Sequence, residues 1–192
     1  MPTKRKLFWV RSIFWSHPII LIVNIVLSDV ARRNFDISSL LNSKYINIYP
    51  LNVNYIIALK SFGVGDNNIA YVCLSMANSA LISYFYFIIY FIISGIMAPM
   101  RRIKYGIYNP PLPVSSIIYI NIASLICFIY LYVSNFSDSI LLYKLSIHRP
   151  IFISVSMLNI FLYAATFSLS LGAAALFESI FTTFAWRGKK NG

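Results

Sequence analysis

A chain of 192 residues that is 59% hydrophobic and only 11% charged cannot cover a globule in water, where about 25% of residues carry charge. Lipid must solvate much of its surface, so the expected fold class is an all-α integral membrane protein. The net charge of +11, from 16 Lys and Arg against 5 Asp and Glu, would suggest nucleic acid in a soluble protein. Here the basic residues punctuate apolar runs, as topogenic charges do, so no nucleic-acid partner is expected.

A hydrocarbon core of about 30 Å needs roughly 20 apolar residues in a helix. Four runs meet this, and the spacing predicts helices at about 12–29, 69–98, 114–133 and 151–185. The whole chain, 1–192, then forms a single membrane domain. Helix one, with Lys4, Arg5 and Lys6 before it, reads as a retained anchor rather than a signal peptide, because cleavage after Ala31 would place Asp29 where a small residue is needed. His17-Pro18 reads as an irregular first turn of that helix. Loop 30–68 follows; its stretch from Tyr45 to Tyr55 alternates apolar and polar residues, which suits an extended strand or a segment on the membrane surface. The run GVGDNN from Gly63 reads as a turn before helix two. Loop 99–113 is basic and ends in Pro110, Pro111 and Pro113, which cannot continue a helix. Loop 134–150 is brief. Gly172 is a place where helix four could bend.

Orientation follows from the charges. With the N-terminus inside, Lys4, Arg5, Lys6, Arg11, Arg101, Arg102, Lys104, Arg187, Lys189 and Lys190 are cytoplasmic, while loops 30–68 and 134–150 are external and, with Asp29 at the edge of the first, account for four of the five acids. The positive-inside rule therefore places both N- and C-terminus in the cytoplasm. Trp9, Trp15 and Trp186 then share one interface, where an indole prefers to sit.

Candidate polar contacts inside the bilayer are Asn24, Asn78, Asn121 and Asn159, one in each helix. A buried amide there needs partners, and hydrogen bonding between helices is the plain structural account. Glu178 is the acid inside an apolar run; it reads as an interfacial ion-pair residue or, functionally, as a proton or cation relay. Ser75, Ser79 and Ser83 line one face of helix two, and Ala164, Ser168 and Gly172 one face of helix four. Such small-residue faces let backbones approach closely, so helices two and four should pack together or against a partner. Cys73 and Cys127 read as small buried hydrophobes. His17 and His148 fall on opposite sides of the membrane, so they form no joint metal or haem site. No catalytic set, cofactor motif or metal-ligand spacing occurs, and catalysis is not expected.

In layout the chain resembles the membrane immunity proteins of pore-forming colicins of the colicin A type. The resemblance spans the whole chain: its size, four crossings, both ends inside, a longer first external loop and the basic tail Arg187, Lys189, Lys190. It rests on layout, with no diagnostic residue motif. It implies a multi-pass protein of the bacterial inner membrane whose partners are lipid and a membrane-inserted protein. The layout also fits proteins of conjugative entry exclusion. The alternatives are a structural subunit of a respiratory or transport complex, and a small transporter. The topology is directly testable: a reporter active only in the cytoplasm should be active when fused after Gly192 and silent when fused near Asn52. Activity at both points would overturn the four-helix layout.

Overall fold

The computed structural model describes the backbone of residues 3–97, 100, 118–119, 121–123, 125–126 and 151–190, with side chains placed for 12–97, 100, 118–119, 121–123, 125–126, 151–153 and 155–177. The described residues are helical, with no strand among them. In chain order they form α1 (Thr3–Asn34), two 3-10 turns (Ser38–Asn42 and Lys44–Ile48), α2 (Asn52–Ser61), α3 (Asp66–Phe91) with a π-helical continuation (Ile92–Met97), and α4 (Ile151–Lys190). Three helices are long and apolar enough to cross a membrane: Ser12–Asn34, Asp66–Met97 and Ile151–Phe177. Most of the run at 114–133 lies outside the described residues; those of it that are described, from Ile118 to Ile126, are helical. α4 has 40 residues, about 60 Å at 1.5 Å per residue, roughly twice the hydrocarbon thickness. It therefore extends well beyond the crossing.

The described residues fall into two compact units. One draws on Met1–Ser83 and Tyr130–Tyr163, the other on Tyr84–Ile129 and Ala164–Gly192. The first holds α1, the connecting segment, and the leading parts of α3 and α4. Its core is Leu21 and Ile25 of α1, Ile46, Tyr49, Tyr55 and Leu59 of the connection, Ile69 to Cys73 and Met76 of α3, and Val155, Leu158 and Leu162 of α4. In the second unit the contacts are aromatic: Tyr90 meets Tyr86 and, edge to face at 5.8 Å, Phe167, while Phe91 meets Phe177 at 5.6 Å. Gly95 is buried there, and a Cβ on it would lie 3.3 Å from the Ala174 Cα, so the π-turn packs tightly on α4 and a larger residue would require a small shift.

Three expectations from the sequence are corrected. His17-Pro18 is not an irregular first turn, because α1 begins at Thr3 and runs unbroken through Pro18. Proline removes one backbone hydrogen bond, but ending a helix within hydrocarbon would expose several unpaired groups. Nor does helix one end near residue 29. It continues through Asp29, whose carboxylate takes Arg32 at 2.6 Å and Arg33 at 2.8 Å. These i,i+3 and i,i+4 pairs stabilise the last turn, and the cations also suit the helix C-terminus.

The third correction is the strand reading of Tyr45–Tyr55: a 3-10 turn (Lys44–Ile48) and a tight turn lead into α2. Besides Leu51, the residues buried from here into α2 are Ile46, Tyr49, Asn52, Tyr55 and Leu59, spaced by three and four. The period was hidden because Asn52 is buried while Val53 and Ile57 are exposed. Asn52 is the pin: its Nδ2 donates to the Ile46 carbonyl at 2.7 Å and to the Cys73 carbonyl of α3 at 2.9 Å. The turn read over GVGDNN is confined to Gly63–Gly65, and Asp66-Asn67-Asn68 opens α3. Gly63 N–H donates to the Lys60 carbonyl and Val64 N–H to the Leu59 carbonyl, and Gly63 has φ +71°. That paired arrangement ends a helix on a left-handed glycine.

Replacing Asn52 by Ala should destabilise the first unit by about 1–3 kcal/mol, since it leaves the Ile46 and Cys73 carbonyls unpaired in the core. Limited proteolysis of the reconstituted protein should then cut within 37–62 faster than in wild type. Unchanged protection would show that Asn52 does not hold the segment.

Candidate functional site

The polar groups that α1 and α3 carry into the first unit meet as one joint. Asn24 of α1 is buried, and its Nδ2 donates both to the Ser75 carbonyl (3.0 Å) and to Ser79 Oγ (2.8 Å). Its Oδ1 accepts from Asn78 Nδ2 at 3.0 Å and from Ser28 Oγ at 3.4 Å. Asn78 Oδ1 in turn accepts from the Tyr45 hydroxyl of the connecting segment. Partial burial raises the Tyr45 pKa above the ordinary phenol value. Both amide hydrogens and the carbonyl of Asn24 are therefore occupied. Interhelical hydrogen bonds of this kind in membranes are worth on average about 0.6 kcal/mol each, with a maximum near 1.7, so the joint positions the helices more than it stabilises them.

The serine face of α3 is turned to this joint. Ser75, Ser79 and Ser83 are each fully buried. Ser75 and Ser79 meet Asn24, and Ser83 Oγ lies 3.4 Å from His17 Nε2. The small side chains admit α1 and its polar groups, so the close approach they permit is made to α1. His17 is also fully buried and meets Tyr163 of α4 edge to face at 5.0 Å. The face read on helix four divides differently: Gly172 is buried, Ser168 half-buried and Ala164 exposed.

The remaining candidates stand apart from the joint. Asn159 of α4 is buried; its Nδ2 donates to the Val155 carbonyl of its own helix at 2.8 Å and lies 3.7 Å from Met76 Sδ. Its Oδ1 has no hydrogen-bond partner among the described residues. Asn121 is half-buried and helical, and belongs to the second unit. Glu178 falls within α4, but its side chain lies outside the described residues, as do Cys127 and His148. Cys73 is buried, as a small hydrophobe would be.

A second polar cluster was not singled out from the sequence. At the end of α1, Arg32 donates to Asp29 and, through Nη1, to Asn68 Oδ1 at 2.7 Å, and it stacks 5.2 Å from the Tyr71 ring. Asn67 Nδ2 donates to the Arg32 carbonyl, and its Oδ1 accepts from the Ile37 N–H. This cluster ties the end of α1 to the start of α3. Its signal is present as Asp29, Arg32 and Arg33 at helical spacing, but three charges after an apolar run also read as the beginning of a loop.

Comparison with known proteins finds no family model, no curated protein and no solved structure that matches the chain. The chemistry of its side chains is therefore the ground for a functional reading. The joint pairs the amides of Asn24 and Asn78 with a hydroxyl, a carbonyl and each other, an arrangement suited to holding helices in place.

A double-mutant cycle with Asn24→Ala and Ser79→Ala should give a coupling energy of about 0.6 kcal/mol, and no more than about 1.7, measured by denaturant unfolding in mixed micelles. The Asn24→Leu variant should lose more stability than Ile22→Leu on the exposed face of the same helix. Zero coupling would remove the joint from this account.

Proposed function

We propose that this chain is a non-enzymatic, multi-pass protein of the bacterial inner membrane that works by recognising a membrane-inserted protein partner. The particular reading is immunity to a pore-forming toxin, with conjugative exclusion as a second form of the same recognition. The observation that carries it is the mounting of α2. Its buried side, Asn52, Tyr55 and Leu59, is fastened to α3, while Val53, Ile57 and the following Phe62 are exposed at 47%, 65% and 40%. With both termini in the cytoplasm, this fixed apolar face would lie on the periplasmic side, next to the membrane helices. A toxin's pore-forming helices would have to pass there. Specificity is a difference of affinities between partners, and a fixed surface supports such a difference better than a loose loop, since less ordering cost attends binding.

The other readings draw less support. A transporter would use intramembrane charge for transport; Asp29 is closed by Arg32 and Arg33, so that reading would rest on Glu178 alone. The exposed stripe on α1, which includes Trp15, Ile19, Ile22 and Leu27, suits lipid and a neighbouring subunit equally, so it does not favour a structural subunit.

The test is protection of a susceptible bacterium. Cells expressing the chain should survive at least about tenfold more of one pore-forming bacteriocin, equivalent to about 1.4 kcal/mol of discrimination, with potassium efflux suppressed and no protection from a nuclease bacteriocin. Ile57→Asp should abolish that protection while the protein still inserts. The reading is lost if no pore-forming toxin and no conjugating donor is resisted, and the protein instead purifies stoichiometrically with a respiratory or transport complex.

A further inference from the structure

We infer that the segment joining α1 to α3 is re-entrant: it dips into the bilayer leaflet on its own side, and lipid acyl chains cover the outer side of α2. The helices of the first unit supply the depth scale. Arg32 of α1 bonds Asn68 of α3, Arg33 is exposed beside them, and Lys60 pairs with Asp66 at the opening of α3. This charged level suits the headgroups. Directly beneath it α1 exposes Val30, Leu27 and Val26, a surface fit only for acyl chains in a crossing helix. α4 agrees. Asn159 lies beside Met76, and Tyr163 beside His17, which itself meets Ser83, so α4 runs parallel to α3 and opens level with it. Its opening exposes Phe152, Ile153 and Met157.

The connecting segment reaches below that level. Asn52 donates to the Cys73 carbonyl and the Tyr45 hydroxyl to Asn78. These two partners lie about 7.5 Å and 15 Å along α3 from Asn68 at 1.5 Å per residue, the second near half of a core of roughly 30 Å. From the Cys73 level α2 rises to the charged level. Along its outer side Val53 and Ile57 come first, and Lys60 comes last on Asp66 at 3.6 Å, so polarity follows that of a leaflet from acyl chain to headgroup. The backbone suits this medium too. The N–H groups of Leu40, Ser43, Ile46, Asn52 and Tyr55 are paired with carbonyls of the segment itself, as hydrocarbon demands. Asn42, Lys44 and Asn47 are exposed on the 3-10 turns; a lysine at such depth is hydrated by extending its stem to the headgroups and by local thinning of the leaflet. Lipid is the occupant of the outer side of α2 because Val53 and Ile57 continue, at one level, the exposed apolar surfaces of α1 and α4. A partner that recognises α2 then meets it within the bilayer. The inference itself rests on the crossing helices, so failure to resist any toxin leaves it standing.

The experiment places a nitroxide on the full chain in phosphatidylcholine vesicles, one site at a time, through Val53→Cys, Ile57→Cys, Ser61→Cys and, as a lipid-facing reference, Leu27→Cys. Cys127→Ala removes the second native thiol, and Cys73 is buried. Power saturation then compares relaxation by oxygen, which dissolves in acyl chains, with relaxation by a nickel chelate held in water on both sides. Labels at 53 and 57 should behave like the label at 27, relaxed by oxygen and shielded from nickel, while the label at 61 responds to nickel. Position 53 should lie deeper than 57 by up to about 6 Å, four residues of helix. Nickel reaching 53 and 57 as readily as 61 overturns the inference, because the segment then stands in water. Exclusion of both reagents overturns it as well, since protein and not lipid then covers the face. If a label prevents insertion, the unmodified chain gives the answer with a phosphatidylcholine carrying a mid-chain diazirine. Labelling of 52–61 together with the exposed stripe of α1 is expected, and labelling of α1 without 52–61 overturns the inference.

Discussion

The first unit is organised by one constraint: an amide placed in hydrocarbon must be paired by its own protein. Asn24 meets it completely, with two donors given to α3 and one carbonyl shared between Asn78 and Ser28. Apolar contacts between helices discriminate little in lipid, because the acyl chains are as apolar as the side chains. Hydrogen bonds discriminate more, since a slide or rotation of α1 against α3 would leave Asn24 unpaired. Ser75 and Ser79 contribute by being small enough to let the amide reach a carbonyl and a hydroxyl of the facing helix.

The same device recurs where the chain leaves the apolar helices. Tyr45 donates to Asn78, Asn52 joins two carbonyls across α2 and α3, and Asn67 joins the end of α1 to the start of the connection. The connecting segment is thus tied to the helices through asparagines at three places, and its tyrosines and leucines fill in between. Burial of Tyr49, Tyr55 and Leu59 adds the apolar contribution that lipid-facing helices lack, at roughly 25 cal/mol per Å² removed from water. A surface mounted this way keeps its shape at the membrane, which is what a recognition role requires.

Two amides meet the constraint only in part. Asn52 donates through Nδ2 to the Ile46 and Cys73 carbonyls and Asn159 to the Val155 carbonyl, while the buried Oδ1 of each has no hydrogen-bond partner among the described residues.

The sequence by itself marked the apolar runs, and three of them form helices long and apolar enough to cross a membrane. Too few charges for water and apolar runs near 20 residues leave helices in lipid as the outcome, because only internally paired backbone survives there. It also determined the turn at Gly63, since a left-handed helix end favours a residue without Cβ, and it marked Asn24, Asn78 and the serine face as residues needing partners. Which partners they take was decided by the tertiary structure. Ser75 and Ser79 could have faced α4; the reach of Asn24 set them against α1. The tertiary structure also decided the helix over Asn52–Ser61, where a buried asparagine and exposed Val53 and Ile57 invert the usual code of apolar inside and polar outside. Period alone cannot recover such a segment, because the hydrogen bonds that make Asn52 an interior residue come from carbonyls at Ile46 and Cys73 that only the folded chain brings together.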